Sequence, residues 1–116
     1  MTDKQINMAF TESANYTDPD AYLSDLMLAS AFLPEEDTEP DMGLIEPLRR
    51  LWRVHNVSFR DFLADLGLSQ YACARRFCIP LRTVQSWALG ERTCPPYIRL
   101  MLAQLMGYAP SPEARG

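Results

Sequence analysis

The sequence has few of the side chains that metal sites use most often. Its 116 residues include one histidine, His55, and three cysteines, Cys73, Cys78 and Cys94. A zinc site needs a full set of ligands at short spacings, and His55 lies far from any Cys-x-x-Cys pair. The odd number of cysteines also argues against a framework of disulfides. We therefore expect no metal and no structural disulfide.

Catalytic motifs are also missing. The sequence has no glycine-rich phosphate loop, and the histidine has no evident nucleophile as a partner. Most of the acidic residues fall in a segment where water would surround them, which leaves them ill suited to acid–base catalysis. We expect no catalytic residue, no cofactor and no enzymatic activity.

Long apolar runs are absent as well. No stretch approaches the roughly 18 apolar residues that a membrane span needs. The start, Met-Thr-Asp-Lys-Gln, lacks the basic and apolar regions of a signal peptide. The apolar–polar alternation of a half-buried strand is not found either. These features predict a cytoplasmic, all-α protein that does not bind membranes.

Charge is divided unevenly along the chain. Residues 1–46 hold eleven acids and one lysine, a formal charge of −10, whereas residues 47–116 hold ten arginines and four acids, a formal charge of +6. The net charge of −4 conceals this division. A basic half is typical of a domain that contacts phosphate groups, and here it carries an acidic appendage. The alternative is that the arginines only keep the helices solvated.

The basic half contains two predicted short helices joined by a tight corner. The first begins at Ser69, whose hydroxyl can cap the opening turn, and runs to about Phe77. Pro80 interrupts the helical pattern because proline lacks an N–H, and it favours a new helix over about 81–89. Gly90 can end that helix in a left-handed conformation. The outer face of the second helix carries side chains that can hydrogen-bond to base edges: Arg82, Gln85 and Ser86.

Residues 69–90 resemble the helix-turn-helix of the phage-repressor class, the Cro/cI or XRE-like proteins. With Gln70 as the first position, four positions match the family's pattern. The small residue on the inner face falls on Ala74 and the apolar corner residue on Ile79. The aliphatic residue in the middle of the second helix falls on Val84, and the late hydrophobic residue falls on Trp87. One position departs from the family's pattern, because the family usually has glycine at the corner and this chain has Cys78. Residues 90–97 also resemble the loop and next helix start of this class, so the resemblance covers about residues 58–107.

The resemblance implies a transcription regulator, such as a repressor, that binds double-stranded DNA as a homodimer. The helix at about 81–89 would enter the major groove, where Arg82 would favour guanine and Gln85 adenine, with Ser86 as a third base-reading residue. Four residues would contact phosphate groups: Gln70, Tyr71, Thr83 and Arg92.

Helical periodicity predicts a bundle of five or six helices around this motif. Residues 1–45 are predicted to form an acidic segment. Within it, residues 1–17 are expected to be frayed or disordered, an amphipathic helix spans about 19–33, and a linker follows over Glu35 to Gly43. That helix covers either the domain's own core or a partner subunit. Residues 46–108 form the helix-turn-helix domain, with other helices starting near Glu46, Ser58 and the Pro95-Pro96 pair, and residues 109–116 form a tail.

Two functional hypotheses follow from the sequence. The first is a sequence-specific DNA-binding regulator, with the helix at 19–33 as the candidate dimer element. The second is a protein-binding module or inhibitor on a helix-turn-helix scaffold that acts through its acidic N-terminal segment, as anti-defence or DNA-mimic proteins do. The acidic segment could also fold over the second helix and restrain DNA binding. The hydrogen-bonding groups on that helix favour the first hypothesis.

Overall fold

A computed structural model describes residues 1–33 and 41–113 of the chain. These residues form seven α-helices and one short 3-10 helix and contain no strand, so the all-α prediction is confirmed for this part of the chain. None of the helices in these ranges is long and apolar enough to cross a membrane. The elements are α1 (Asp3–Ser13), α2 (Pro19–Met27), the 3-10 helix Met42–Leu44, α3 (Ile45–Asn56), α4 (Phe59–Leu66), α5 (Gln70–Phe77), α6 (Leu81–Leu89) and α7 (Pro96–Leu105).

The central element is α3, which packs against α1, α2 and α7. Leu48, Leu51 and Val54 repeat every three residues on its inner face and have no exposed surface. The cluster of buried side chains around them runs from Ile6 in α1 to Ala109 after α7. The acidic N-terminal helices and the basic helices therefore share a hydrophobic core.

The prediction that residues 1–17 are frayed or disordered is wrong, because they contain α1. Thr2 and Gln5 form a capping box, in which Thr2 Oγ1 accepts the Gln5 N–H at 3.1 Å and Gln5 Oε1 accepts the Thr2 N–H at 2.9 Å. This extra helix raises the count from five or six to seven. Its inner face is buried through Ile6, Ala9, Phe10 and Ser13.

The amphipathic helix predicted over 19–33 is present as the shorter α2. Asp18 caps it, because Asp18 Oδ1 accepts the Asp20 N–H at 3.0 Å. Tyr22 is fully buried, and its hydroxyl donates to the carbonyl oxygen of Ala9 at 2.8 Å. The sequence left open whether this helix covers the chain's own core or a partner subunit. The helix α2 covers the chain's own core, and the Tyr22 hydrogen bond links it to α1.

The predicted linker lies largely outside the described residues, which resume at Asp41. Asp41 Oδ1 accepts the Gly43 N–H at 2.9 Å and so caps the 3-10 helix. This short helix leads directly into α3. The structure therefore describes only the end of the predicted linker.

The described part of the predicted tail, residues 109–113, packs on the rest of the protein. Ala109 is buried, and the Glu113 N–H donates to the carbonyl oxygen of Met1 at 3.2 Å. Residues 114–116 lie outside the described ranges. The last described residues therefore lie beside the first turn of α1.

The helix α4 begins and ends where the sequence predicts. Ser58 Oγ accepts the Asp61 N–H at 3.1 Å, and Gly67 ends the helix in the left-handed region at φ 71°. Phe59 and Phe62 are buried, and α4 packs against α6. The helix α4 thus supports the pair of helices that follows it.

An ion pair joins α3 to α4. Arg53 Nε and Nη2 donate to the two carboxylate oxygens of Asp65 at 2.7 and 3.1 Å. This hydrogen-bonded carboxylate raises the pKa of Arg53. The bidentate geometry fixes the relative positions of the two helices.

Candidate nucleic-acid interface

The helix α5 is positioned by its cap and by one buried face. Ser69 Oγ accepts the Ala72 N–H at 3.0 Å, as the sequence predicts. Cys73 is fully buried and Ala74 nearly so. With that face held in the core, the opposite face of α5 is left exposed, where it carries Tyr71, Arg75 and Arg76.

The corner between α5 and α6 spans residues 78–80. Cys78 adopts the left-handed conformation at φ 55° and ψ 39°, and in residues 1–33 and 41–113 it is the one non-glycine residue with positive φ. The Ile79 N–H donates to the Ala74 carbonyl oxygen at 3.0 Å. The Pro80 carbonyl oxygen accepts the N–H groups of Thr83 and Val84 at 2.9 and 3.2 Å, which starts α6. The corner has the backbone conformation that glycine normally supplies.

Replacing Cys78 with glycine should therefore stabilise the protein. A side chain in the left-handed region costs roughly 1 kcal/mol more than glycine. The matched control is Cys78→Ala, which removes the thiol but keeps the strain. We expect Cys78→Gly to unfold at a higher urea concentration than Cys78→Ala, by about 1 kcal/mol in free energy. Equal stability of the two variants would contradict the strained corner.

The inner face of α6 is held by two residues. Val84 is fully buried, and the ring of Trp87 packs edge-on against Phe59 with 5.4 Å between centroids. Gly90 ends α6 at φ 77°. The N–H groups of Glu91 and Arg92 then donate to the Ser86 carbonyl oxygen at 3.0 and 3.3 Å. The orientation of α6 is thus fixed from its inner side and from its C-terminal end.

The predicted base-reading residues divide into two groups. Arg82 and Gln85 are exposed, three residues apart on the outer face of α6. Ser86 is partly buried, and its hydroxyl lies 3.5 Å from Glu91 Oε2. Arg82 and Gln85 are therefore better placed than Ser86 to meet a ligand.

The predicted phosphate-contacting residues also differ in exposure. Tyr71 and Arg92 are exposed, whereas Gln70 and Thr83 are partly buried. Arg75 was not predicted as a contact, but its Nη1 donates to the Tyr71 hydroxyl at 3.2 Å and its guanidinium lies 5.7 Å from the centre of the Tyr71 ring. Its spacing of four residues from Tyr71 is the signal that could have identified this pair.

Two leucines were also missed on the outer face of α6. Leu81 and Leu89 are exposed, and they lie four residues before and after Gln85 on the same line of the helix. Apolar side chains at such positions can contact a thymine methyl group in a major groove. Their spacing from Gln85 could have identified them from the sequence.

The surface around α5 and α6 carries exposed positive charge. Between Gly67 and Gly107 the chain has five arginines and one acid, Glu91. Within the ranges that the structure describes, the arginines that pair with acids lie on α3, where they contact Glu46 and Asp65. The exposed arginines of α5, α6 and the following loop form no ion pair in those ranges: Arg75, Arg76, Arg82 and Arg92.

Comparison with protein-family models, with curated proteins and with solved structures gives no match.

One contact brings a hydroxyl next to the histidine. Ser13 Oγ lies 2.9 Å from His55 Nδ1, a pairing across 42 positions that local sequence patterns do not indicate. Ser13 has no exposed surface, and its hydroxyl donates to the Phe10 carbonyl oxygen at 2.6 Å. A nucleophilic serine must be reachable by substrate and must give its proton to the base. The contact between Ser13 and His55 does not have this geometry, and it links α1 to α3.

The described residues bring no metal-ligating cluster together. No group of three or more histidine, cysteine or acidic side chains that could hold a metal ion is found in residues 1–33 and 41–113. The three thiols are free, with Cys73 and Cys94 buried and Cys78 exposed. Burial raises the pKa of Cys94 to about 12, which holds it in the thiol form at neutral pH.

Proposed function

We propose that the chain is a sequence-specific DNA-binding transcription regulator, built on a helix-turn-helix of the Cro/cI type and acting as a dimer. The helix α6 is the reading helix, and the protein has no enzymatic role. The observation that supports this proposal most directly is the pair Arg82 and Gln85, exposed on α6 while Val84 fixes the opposite face in the core. Arginine and glutamine are the side chains that form bidentate bonds with guanine and adenine.

Electrostatics support the same proposal. The exposed arginines of α5, α6 and the following loop lack acidic partners in the described ranges, so their charge is available to phosphate groups. Tyr71 lies on the exposed face of α5, where its hydroxyl can contact the DNA backbone while α6 occupies the groove. In this arrangement the charge supplies affinity and the pair Arg82 and Gln85 supplies selectivity.

The acidic segment supports the alternative of a protein partner. Exposed acids lie on the outer side of α1 and α2, at Asp3, Asp20 and Asp25. A basic protein could bind there. However, both helices make their main contacts with α3, so in residues 1–33 the acidic surface is not folded over α6.

Selection from a random duplex library by the 116-residue chain, at about 50 and 150 mM salt, tests the proposal. We expect an enriched palindrome whose half-sites lie about 34 Å apart, with weaker binding at the higher salt concentration. A folded protein that enriches no sequence at either salt concentration would refute DNA reading. Binding of a basic protein by the same sample would then favour the alternative.

A further inference from the structure

The one charged residue of α7, Arg99, is buried at only 9% exposure. Its Nη2 donates to the Val57 carbonyl oxygen at 2.6 Å, and its guanidinium lies 4.9 Å from the centre of the Phe62 ring. Its Nε is buried and has no hydrogen-bond partner in residues 1–33 and 41–113. Within those ranges the hydrogen-bonding groups of Arg99 are therefore only partly satisfied.

The positive charge of Arg99 also has no acidic partner in the part of the chain that the structure describes. Burial lowers the pKa of Arg99, because a buried guanidinium loses its contact with water. Val57 directly precedes the cap of α4, so the guanidinium lies near the positive end of that helix dipole. Asp61, in the first turn of α4, is exposed and forms no ion pair with Arg99. An anion beside Arg99 would offset both the buried charge and the helix dipole.

A cavity lies beside Arg99, where the start of α4, the end of α6 and the loop 90–95 meet α7. Its volume is about 280 Å³, which suits a small molecule. Phe59 and Trp87 contribute to the apolar part of its lining, and Arg92 and Arg99 supply its charged part. Among the described residues, the charged side chains that line this cavity are thus both positive.

The polar groups around the cavity are suited to an anion as well. Ser58 and Thr93 line it, and their hydroxyls can donate hydrogen bonds. Glu91, the acid of the same loop, does not line the cavity, and its Oε2 lies 3.5 Å from the Ser86 hydroxyl. The free N–H groups of an opening helical turn, here that of α4, also favour negative charge.

We propose that this cavity binds a small free oxyanion, a molecule that carries a carboxylate or phosphate group and pairs it with Arg99. A guanidinium binds either group through parallel hydrogen bonds, because its donors form a planar fork. Phe59 and Trp87 would contact the apolar part of the molecule. Binding at this place is a function beyond DNA reading, and the inference does not rest on it.

A phosphate group of DNA has the same chemistry, but it fits this site less well. It is held in a strand between two sugars, whereas Arg99 lies behind the surface. Arg92 is exposed and could meet such a phosphate without it entering the cavity. A small molecule can enter and reach both arginines, so we assign the site to a free anion.

Nuclear magnetic resonance of the ¹⁵N-labelled 116-residue chain tests the site, by titration with sodium phosphate or sodium acetate at constant pH and ionic strength. We expect the signals of the Arg99 Nε–H and of the Thr93 and Cys94 amides to move and to saturate. Two or three charge-assisted hydrogen bonds correspond to a dissociation constant on the order of 1–10 mM. Sodium chloride should not produce the same saturable change.

Three neutral variants locate the binding. Arg99→Gln should weaken the binding of both anions at least about tenfold, because it removes the buried charge. Arg92→Gln, at an exposed position, should keep the wild-type thermal transition and weaken binding about threefold. The matched control is Arg76→Gln, which removes the same charge from the exposed face of α5 and should change binding by less than about twofold. If Arg99→Gln does not fold, the comparison of Arg92→Gln with Arg76→Gln decides.

The proposal would be overturned if neither phosphate nor acetate gave a saturable change, or if a folded Arg99→Gln chain bound both as well as the wild type. Equal binding by Arg92→Gln and Arg76→Gln would also overturn it. A short DNA duplex distinguishes the two sources of an oxyanion. If the duplex moved the Arg99 Nε–H signal and the small anions did not, the site would belong to the DNA backbone and the assignment to a free anion would be wrong.

Discussion

Replacing Tyr22 with alanine should lower the free energy of unfolding by about 3–5 kcal/mol, the range found for large aromatic residues in cores. Tyr22 has no exposed surface, so the change leaves a cavity between α2 and the central helix. It also removes the 2.8 Å hydrogen bond from the Tyr22 hydroxyl to the Ala9 carbonyl oxygen. Chemical denaturation followed by far-UV circular dichroism measures the loss.

Two matched variants separate the causes of this loss. Tyr22→Phe removes only the hydroxyl and should cost about 1 kcal/mol, the usual net value of one hydrogen bond. Leu28→Ala changes an exposed residue just after the same helix and should stay within about 0.5 kcal/mol of the wild type. If Tyr22→Ala lowered the free energy of unfolding as little as Leu28→Ala, the acidic segment would lie outside the cooperative core. We expect instead that deleting residues 1–33 unfolds the chain.

Replacing Arg82 or Gln85 with alanine should reduce discrimination among DNA sequences by about 1–3 kcal/mol for each residue. That range corresponds to roughly 5- to 150-fold in relative affinity. Both side chains are exposed, so the thermal transition should stay close to that of the wild type. Competition binding with the selected duplex and with single-base variants measures the loss, position by position.

Arg60→Ala is the matched control for Arg82→Ala. Arg60 is an exposed arginine on α4, so its removal takes away the same charge from a different helix. We expect it to weaken binding to all duplexes alike, with a smaller salt dependence and unchanged base preference. Retention of full selectivity by both Arg82→Ala and Gln85→Ala would show that α6 is not the reading helix.

The elements best predicted from the sequence are those whose ends are fixed by local chemistry. Ser58 and Ser69 cap α4 and α5, and Gly67 and Gly90 end α4 and α6, as their positions in the sequence predict. These effects act within one turn of helix, so a short stretch of sequence contains all the information needed. The corner position at Cys78 comes instead from the resemblance, and Cys78 has the positive φ that glycine usually has there.

The features that were missed depend on contacts between distant residues. The helix α1 buries only a short apolar face, and the links that hold it come from far along the chain, from Tyr22 and from His55. Likewise α2 is amphipathic, but its sequence does not tell whether the apolar face meets the chain's own core or a second copy. Only the packed structure shows that the apolar face of α2 is covered, whereas Tyr97, Met101 and Leu105 on α7 are exposed.

The candidate site was predicted in part. The exposure of Arg82 and Gln85 follows from helical spacing around the buried Val84. The partial burial of Ser86 was not predictable in this way, because it depends on how the loop after Gly90 folds back. The Glu91 N–H bonds to the Ser86 carbonyl oxygen and brings the Glu91 carboxylate near the Ser86 hydroxyl.

The shared core gives the molecule a permanent electric dipole moment. Residues 1–33 carry five acids and one lysine, mostly on helices that pack against α3, whereas four exposed arginines lie on the helices and loop that follow α4: Arg75, Arg76, Arg82 and Arg92. Because one core joins the two groups, the charges cannot reorient independently. Any polyanion within about one Debye length, roughly 8 Å at physiological salt, would exert a torque that turns the arginine-bearing pole toward it. Charge separation would thus orient each encounter before any side chain touches its target.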